Sequence, residues 1–129
     1  GGGVAAIGPF YLHLAPDVVL EPDVMWFADG RVPAMDAPNS KWSADLVAEV
    51  LSRSTRARDR GVKSRLYYEH GVREYWILDP FALAVEIWMR GASAFELHAR
   101  GQRDQELVST LHPELRVVPA KVFRNFAPR

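Results

Sequence analysis

Glu49 is the most unusual residue of this sequence, because it is an acid inside the apolar run 44–51. In an extended chain alternate side chains share a face, so Asp45, Val47, Glu49 and Leu51 are predicted to point to the same side. An isolated ionised carboxylate in a buried strand is costly. Glu49 must therefore be protonated, paired with a cation or bound to a metal, and the sequence leaves these three alternatives open.

Cations follow directly in the sequence, since residues 53–65 carry six basic side chains against one acid, Asp59. Helical spacing places Asp59 and Lys63 on one stripe, and Gly71 is a natural C-terminal stop. Lys63 is therefore the candidate partner or catalytic cation for Glu49. A local positive excess is also where a polyanion would bind, although such clusters are often only a solvated face. The arginines expected to contact nucleic acid are Arg53, Arg56, Arg58 and Arg60.

Asp23 precedes another apolar segment and is the candidate second acid. Two carboxylates on adjacent strands can share Mg²⁺ through oxygen ligands, with water completing the shell. Such a metal polarises a phosphoryl oxygen and activates water, while an ammonium such as Lys63 offsets the developing negative charge. The competing interpretations are that Glu49 forms a structural ion pair and that Asp23 only begins a strand. The residues expected near this site are Asp59, Ser52 and Asp45.

The pattern of elements predicts an α/β fold around this constellation. A strand over 44–51, a helix of about four turns ending at Gly71 and a strand over 74–79 make a right-handed parallel crossover the default topology. An opening hairpin is predicted from strands at 10–14 and 18–20, the second continuing to residue 27. Further strands at 82–89, 94–99 and 106–110 predict an antiparallel meander, and a terminal helix is expected from Pro119 to Phe126.

Composition limits the classes of protein that fit. The chain has 129 residues, enough for one domain with a real core, and balances 16 basic against 16 acidic residues. It has no cysteine, which excludes disulfides and thiolate metal sites, and its histidines lack the paired spacing of a zinc site. No apolar run approaches the length of a membrane span, and a cytoplasmic location is expected. Residues 1–8 are expected to be a linker or a cloning scar.

Several motifs carry a family resemblance. Pro22-Asp23, the run 44–52, Asp59 with Lys63, and the stretch 71–80 resemble, in this order and spacing, the Uma family of restriction-endonuclease-like proteins. That family was long catalogued as a domain of unknown function and belongs to the PD-(D/E)XK nuclease superfamily.

The resemblance implies a restriction-endonuclease-like mixed sheet and hydrolysis of DNA phosphodiester bonds with Mg²⁺, or alternatively Mn²⁺. It assigns both metal ligands, Asp23 and Glu49. The superfamily lysine would fall at Leu51, so its role passes to Lys63, as in the family's own pattern. Relatives carry N-terminal helices that are not expected here, and a homodimer is expected. The second hypothesis keeps the fold without catalysis, as a module for nucleic-acid binding or self-association.

Overall fold

A computed structural model describes residues 4–7, 12–15, 18–20, 24–27, 44–54 and 59–124. The strands are β1 Val4–Ile7, β2 Leu12–Ala15, β3 Val18–Leu20, β4 Val24–Phe27, β5 Leu46–Val50, β6 Glu74–Asp79, β7 Ala84–Arg90, β8 Phe95–Gln102, β9 Leu107–Val108 and β10 Arg116–Val117. The helical segments are a π-helical turn Asp59–Lys63, which continues directly into α1 Ser64–Glu69, and α2 Pro119–Val122. None of these helices is long and apolar enough to cross a membrane.

The main sheet has six strands in the order β1-β4-β5-β6-β7-β8, and two small sheets are formed by β2-β3 and β9-β10. β5 and β6 pair in parallel, with the helical segment between them in the chain, whereas the other neighbours are antiparallel. The mixed α/β sheet is therefore confirmed, and the hand of the β5–β6 connection stays a prediction. The register places Glu49 opposite Ile77 and Ile77 opposite Glu86. Because directly opposed residues point to the same face, these three form one row across the sheet.

The two sides of β5 pack against two different hydrophobic clusters. On the face covered by α1, Val47 and Leu51 belong to a cluster with Tyr67 and Tyr75. On the other face, Leu46 and Ala48 pack with residues from β4, β6 and the C-terminal segment. The alternation predicted for the run 44–51 is thus observed, and it places Glu49 on the face covered by the helix.

The end of α1 is fixed by a Schellman motif. Gly71 has a φ of 90°, its N–H bonds the carbonyl of Tyr68 at 3.3 Å, and the N–H of Val72 bonds the carbonyl of Tyr67 at 3.0 Å. Arg90, at the end of β7, adds a second anchor. Its guanidinium lies 3.9 Å from the ring centroid of Tyr68 and donates to the Tyr68 carbonyl at 2.6 Å. The helix is therefore held to the sheet at its C-terminal end, as the stop at Gly71 predicted.

Several parts of the fold correct the sequence-based expectation. The last strand of the expected meander, β9, pairs with β10 in a separate small sheet, and β4 lies in the main sheet and does not continue the β2–β3 hairpin. Residues 4–7, expected within a linker over 1–8, form β1, which pairs with β4 from Val4 opposite Phe27 to Ile7 opposite Val24. Four residues are too few to show a strand period, and only the partner strand reveals the pairing.

The strand expected from residue 82 begins at Ala84. The Asp79 carboxylate accepts hydrogen bonds from the N–H groups of Phe81 at 2.9 Å and Ala82 at 3.1 Å, which stabilises a turn. Leu83, the last residue before β7, has a positive φ of 52°.

Two glycines give a matched stability test of this helix. A Cβ at Gly71 or Gly61 would meet nothing within 4 Å, but only Gly71 has a positive φ. Gly71→Ala is therefore expected to lower the free energy of unfolding by about 1–2 kcal/mol. Gly61→Ala, within the helical turn, should raise it by up to about 1 kcal/mol. Urea unfolding of both variants checks this, and a loss of stability in both would contradict the helical assignment of Gly61.

Candidate active site

The Glu49 carboxylate lies on β5, is 3% exposed, and is bound by two side chains from the helical segment. Lys63 Nζ donates to Glu49 Oε2 at 3.2 Å, and the Tyr67 hydroxyl donates to Glu49 Oε1 at 2.6 Å. Of the three alternatives for Glu49, pairing with a cation is thus what the described residues show.

The local helix geometry explains why both donors reach the same carboxylate. Lys63 ends the π-helical turn, with helical dihedrals of −64° and −42°, and Tyr67 follows four residues later in α1. Side chains at i and i+4 lie on the same helix face, one above the other. The sequence identified Lys63, but it did not give Tyr67 a role at Glu49. The i+4 spacing from Lys63 was the available signal.

A second carboxylate, Glu86 on β7, binds the same helical segment and lies opposite Ile77 of β6. Arg60 binds Glu86 through two parallel bonds, Nη1 to Oε1 at 2.9 Å and Nη2 to Oε2 at 3.1 Å. Trp88 Nε1 donates to Glu86 Oε1 at 2.9 Å, and Arg100 Nε lies 3.6 Å from Oε2. The hydrogen bond with Glu86 raises the pKa of Arg60 above its ordinary value, so this guanidinium stays charged. The sequence did not predict this pair.

The structure describes some of the other residues that the sequence assigned to the site. Asp45 is fully buried, with its Oδ1 3.6 Å from Arg73 Nη1, and four residues of strand place it about 13 Å from Glu49. Asp45 immediately precedes β5, and its expected role near the site stays a prediction. Ser52 Oγ lies 3.3 Å from Ser54 Oγ, and Arg53 is exposed after β5. Asp23, Arg56, Arg58 and the side chain of Asp59 lie outside the described residues.

Residues 1–120 match the model of the Uma2 family, which is described as "Putative restriction endonuclease". The chain belongs to the Uma2 family. The match covers most of the chain and confirms the resemblance found in its motifs. Among curated proteins, none matches this Uma2 chain.

A solved structure from Anabaena variabilis, titled a "putative nuclease belonging to DUF820", is similar to this Uma2 chain with a TM-score of 0.62 and 19% sequence identity. The similarity covers 82% of the Uma2 chain and 60% of the Anabaena protein, so the chain spans about three fifths of that protein's length. At this level of identity the likeness shows a shared fold.

The Lys63–Glu49 pair of this Uma2 chain makes a stability test possible. Their side chains are 14% and 4% exposed, so Lys63→Met leaves a buried carboxylate without its cation and should lower the free energy of unfolding by about 3 kcal/mol. Adding Glu49→Gln should recover most of this loss, because no buried charge remains and the amide oxygen can still accept from Tyr67.

The exposed pair Arg116–Glu106 is the control for this cycle, with side chains 51% and 48% exposed. Arg116→Met should cost no more than about 1 kcal/mol. Urea denaturation of the single and double variants measures all of these values. A double variant that is less stable than Lys63→Met would contradict a compensated buried charge at Glu49.

Proposed function

We propose that this Uma2 domain is a metal-dependent endonuclease that hydrolyses DNA phosphodiester bonds, with Mg²⁺, or alternatively Mn²⁺, as its cofactor. The observation that carries the proposal is the contact of 3.2 Å between Lys63 Nζ and the nearly buried Glu49 carboxylate. Membership of a family described as restriction endonucleases supports assigning this acid and lysine to phosphodiester hydrolysis.

The donor chemistry of Glu49 fits a hard divalent cation. Mg²⁺ is commonly held by one or two carboxylates, with waters and substrate phosphates completing its shell. Among the described residues there is no group of three or more acidic or histidine side chains that could hold a metal.

We propose Asp23 as the second ligand. It immediately precedes Val24, and Val24 is paired with Ala48, the neighbour of Glu49 in the sequence.

Each proposed site residue has its own role in phosphodiester hydrolysis. Glu49 and Asp23 hold the cation, which when bound supplies polarisation of a phosphoryl oxygen and a lowered pKa of bound water. Lys63 is 14% exposed, so its ammonium can contact both Glu49 and a phosphate that approaches from solvent. It would offset the negative charge that develops on the phosphoryl oxygens.

The proposed contacts with the flanking phosphates come from the basic segment before α1. Arg53 is exposed, and Arg56 and Arg58 follow it in the sequence. Arginine binds phosphate by two parallel hydrogen bonds, which fixes the register of a nucleic acid without reading its sequence. We leave Arg60 out of this interface, because its guanidinium already binds Glu86; its predicted contact with nucleic acid stays a prediction.

One observation favours a second candidate function, a catalytically inactive module that binds nucleic acid or associates with itself. The Arg60–Glu86 pair shows that this helix uses cation–carboxylate contacts as anchors. In this second candidate the Lys63–Glu49 pair serves the same purpose alone, so removal of the charge would lower stability and no metal-dependent cleavage would be seen even in the native chain.

Cleavage of plasmid and of single-stranded DNA in Mg²⁺, Mn²⁺ or EDTA separates the two candidates. Glu49→Gln should lower the rate of metal-dependent cleavage at least about 100-fold, because it removes a charged metal ligand. Glu86→Gln is the matched control, since it neutralises a carboxylate of similar burial on the same face that also pairs with the helix. It should lower stability and keep cleavage.

Equal losses of cleavage in the two variants would mean that the helix anchor matters and Glu49 is not a ligand. Cleavage that persists in EDTA would contradict metal dependence. Binding of DNA without metal-dependent cleavage would favour the inactive module.

A further inference from the structure

The Tyr67 hydroxyl has no role in the proposed chemistry so far, yet it makes the shortest contact with Glu49 among the hydrogen bonds described above. Tyr67 is fully buried, and its hydroxyl donates to Glu49 Oε1 at 2.6 Å. Lys63 binds the other oxygen, Oε2. The carboxylate is thus held at both oxygens by donors one helical turn apart.

The surroundings of Tyr67 fix the position of this hydroxyl. Its ring packs on Tyr75, with 5.3 Å between the centroids and 55° between the planes. Its carbonyl accepts the N–H of Val72 at 3.0 Å in the Schellman motif that ends α1. The hydroxyl is therefore placed by the core, whereas the ammonium of Lys63 ends a flexible four-carbon chain.

We propose that Tyr67 is a positioning residue, which sets the orientation of the Glu49 carboxylate toward the divalent cation. The inference rests on the proposed function and deepens it. The terminal torsion of a glutamate side chain is broad, so a single contact at one oxygen leaves the carboxylate plane free to rotate. A second donor at the other oxygen fixes that plane. Mg²⁺ requires nearly octahedral geometry, which makes the direction of the ligand oxygens part of the affinity.

Tyr67→Phe removes the hydroxyl and keeps the ring. The matched control is Tyr68→Phe, one residue along the same helix, where the lost hydroxyl donates to the Gly91 carbonyl at 2.7 Å and not to a carboxylate. Each variant and the native chain are titrated with Mn²⁺ alone by calorimetry, and the Mg²⁺ dependence of plasmid cleavage is measured in parallel. Tyr67→Phe should weaken Mn²⁺ binding about tenfold, as expected when a residue that orients a metal ligand is lost.

The two measurements should agree if Tyr67 acts through the metal. The Mg²⁺ concentration for half-maximal cleavage should rise by the same factor as the Mn²⁺ dissociation constant, and excess Mg²⁺ should restore most of the rate. Tyr68→Phe should lower the melting temperature and leave both metal constants unchanged. If Tyr67→Phe is unfolded in buffer, the titrations are run in trimethylamine N-oxide, which favours the compact state.

Each failure has its own signature. If the native chain binds Mn²⁺ in a manner that Glu49→Gln abolishes but Tyr67→Phe leaves unchanged, the positioning role is wrong and the proposed function stands. The same conclusion follows if Tyr67→Phe and Tyr68→Phe weaken metal binding equally. If the native chain shows neither Mn²⁺ binding nor metal-dependent cleavage, the proposed function and the inference fail together.

Discussion

The fold must stabilise one buried charge, the Glu49 carboxylate on β5. Removing a carboxylate from water costs several kcal/mol unless its oxygens are paired and hydrogen-bonded. The helical segment that covers this face supplies two donors to the carboxylate, the Lys63 ammonium and the Tyr67 hydroxyl. Any arrangement that separated this segment from β5 would break both of these contacts. The position of the helix over the sheet is thus coupled to the chemistry of a single side chain.

Glu49 and Glu86 together define where the helical segment can lie. They are in one row of the sheet with Ile77 between them, and the segment contributes Lys63 to the first and Arg60 to the second. Hydrophobic packing is non-directional and would tolerate small shifts of a helix on its sheet. The two charge pairs, on β5 and β7 with β6 between them, are directional, and a displacement along the helix axis would disturb both. We therefore interpret the Arg60–Glu86 pair as a contact that fixes the position of the helical segment, so that Lys63 lies beside Glu49.

The sequence predicted the features that depend on local pattern. The alternation of β5 follows from a spacing of two residues, and the stop at Gly71 follows from the freedom of glycine to adopt a positive φ. Lys63 was chosen from the basic segment that follows β5 and from the resemblance to the family. Pro119, at the start of α2, follows from its fixed φ and missing N–H in the same way.

The features it missed depend on strand register. Glu86 faces Glu49 across Ile77 only because of how β6 pairs with β7. No local pattern encodes that alignment. Asp45 shows a limit of the shared face, because residues four apart along one strand are about 13 Å from each other.

The chemistry of the partners also distinguishes the two carboxylates. Glu86 accepts two hydrogen bonds from Arg60 and one from Trp88, and Arg100 Nε lies 3.6 Å from its Oε2. Glu49 instead pairs with a lysine, whose compact ammonium on a flexible stem can shift toward a phosphate, whereas a bidentate guanidinium is held rigidly. Of the two pairs, the one at Glu49 is therefore the one whose cation we propose to contact a phosphate.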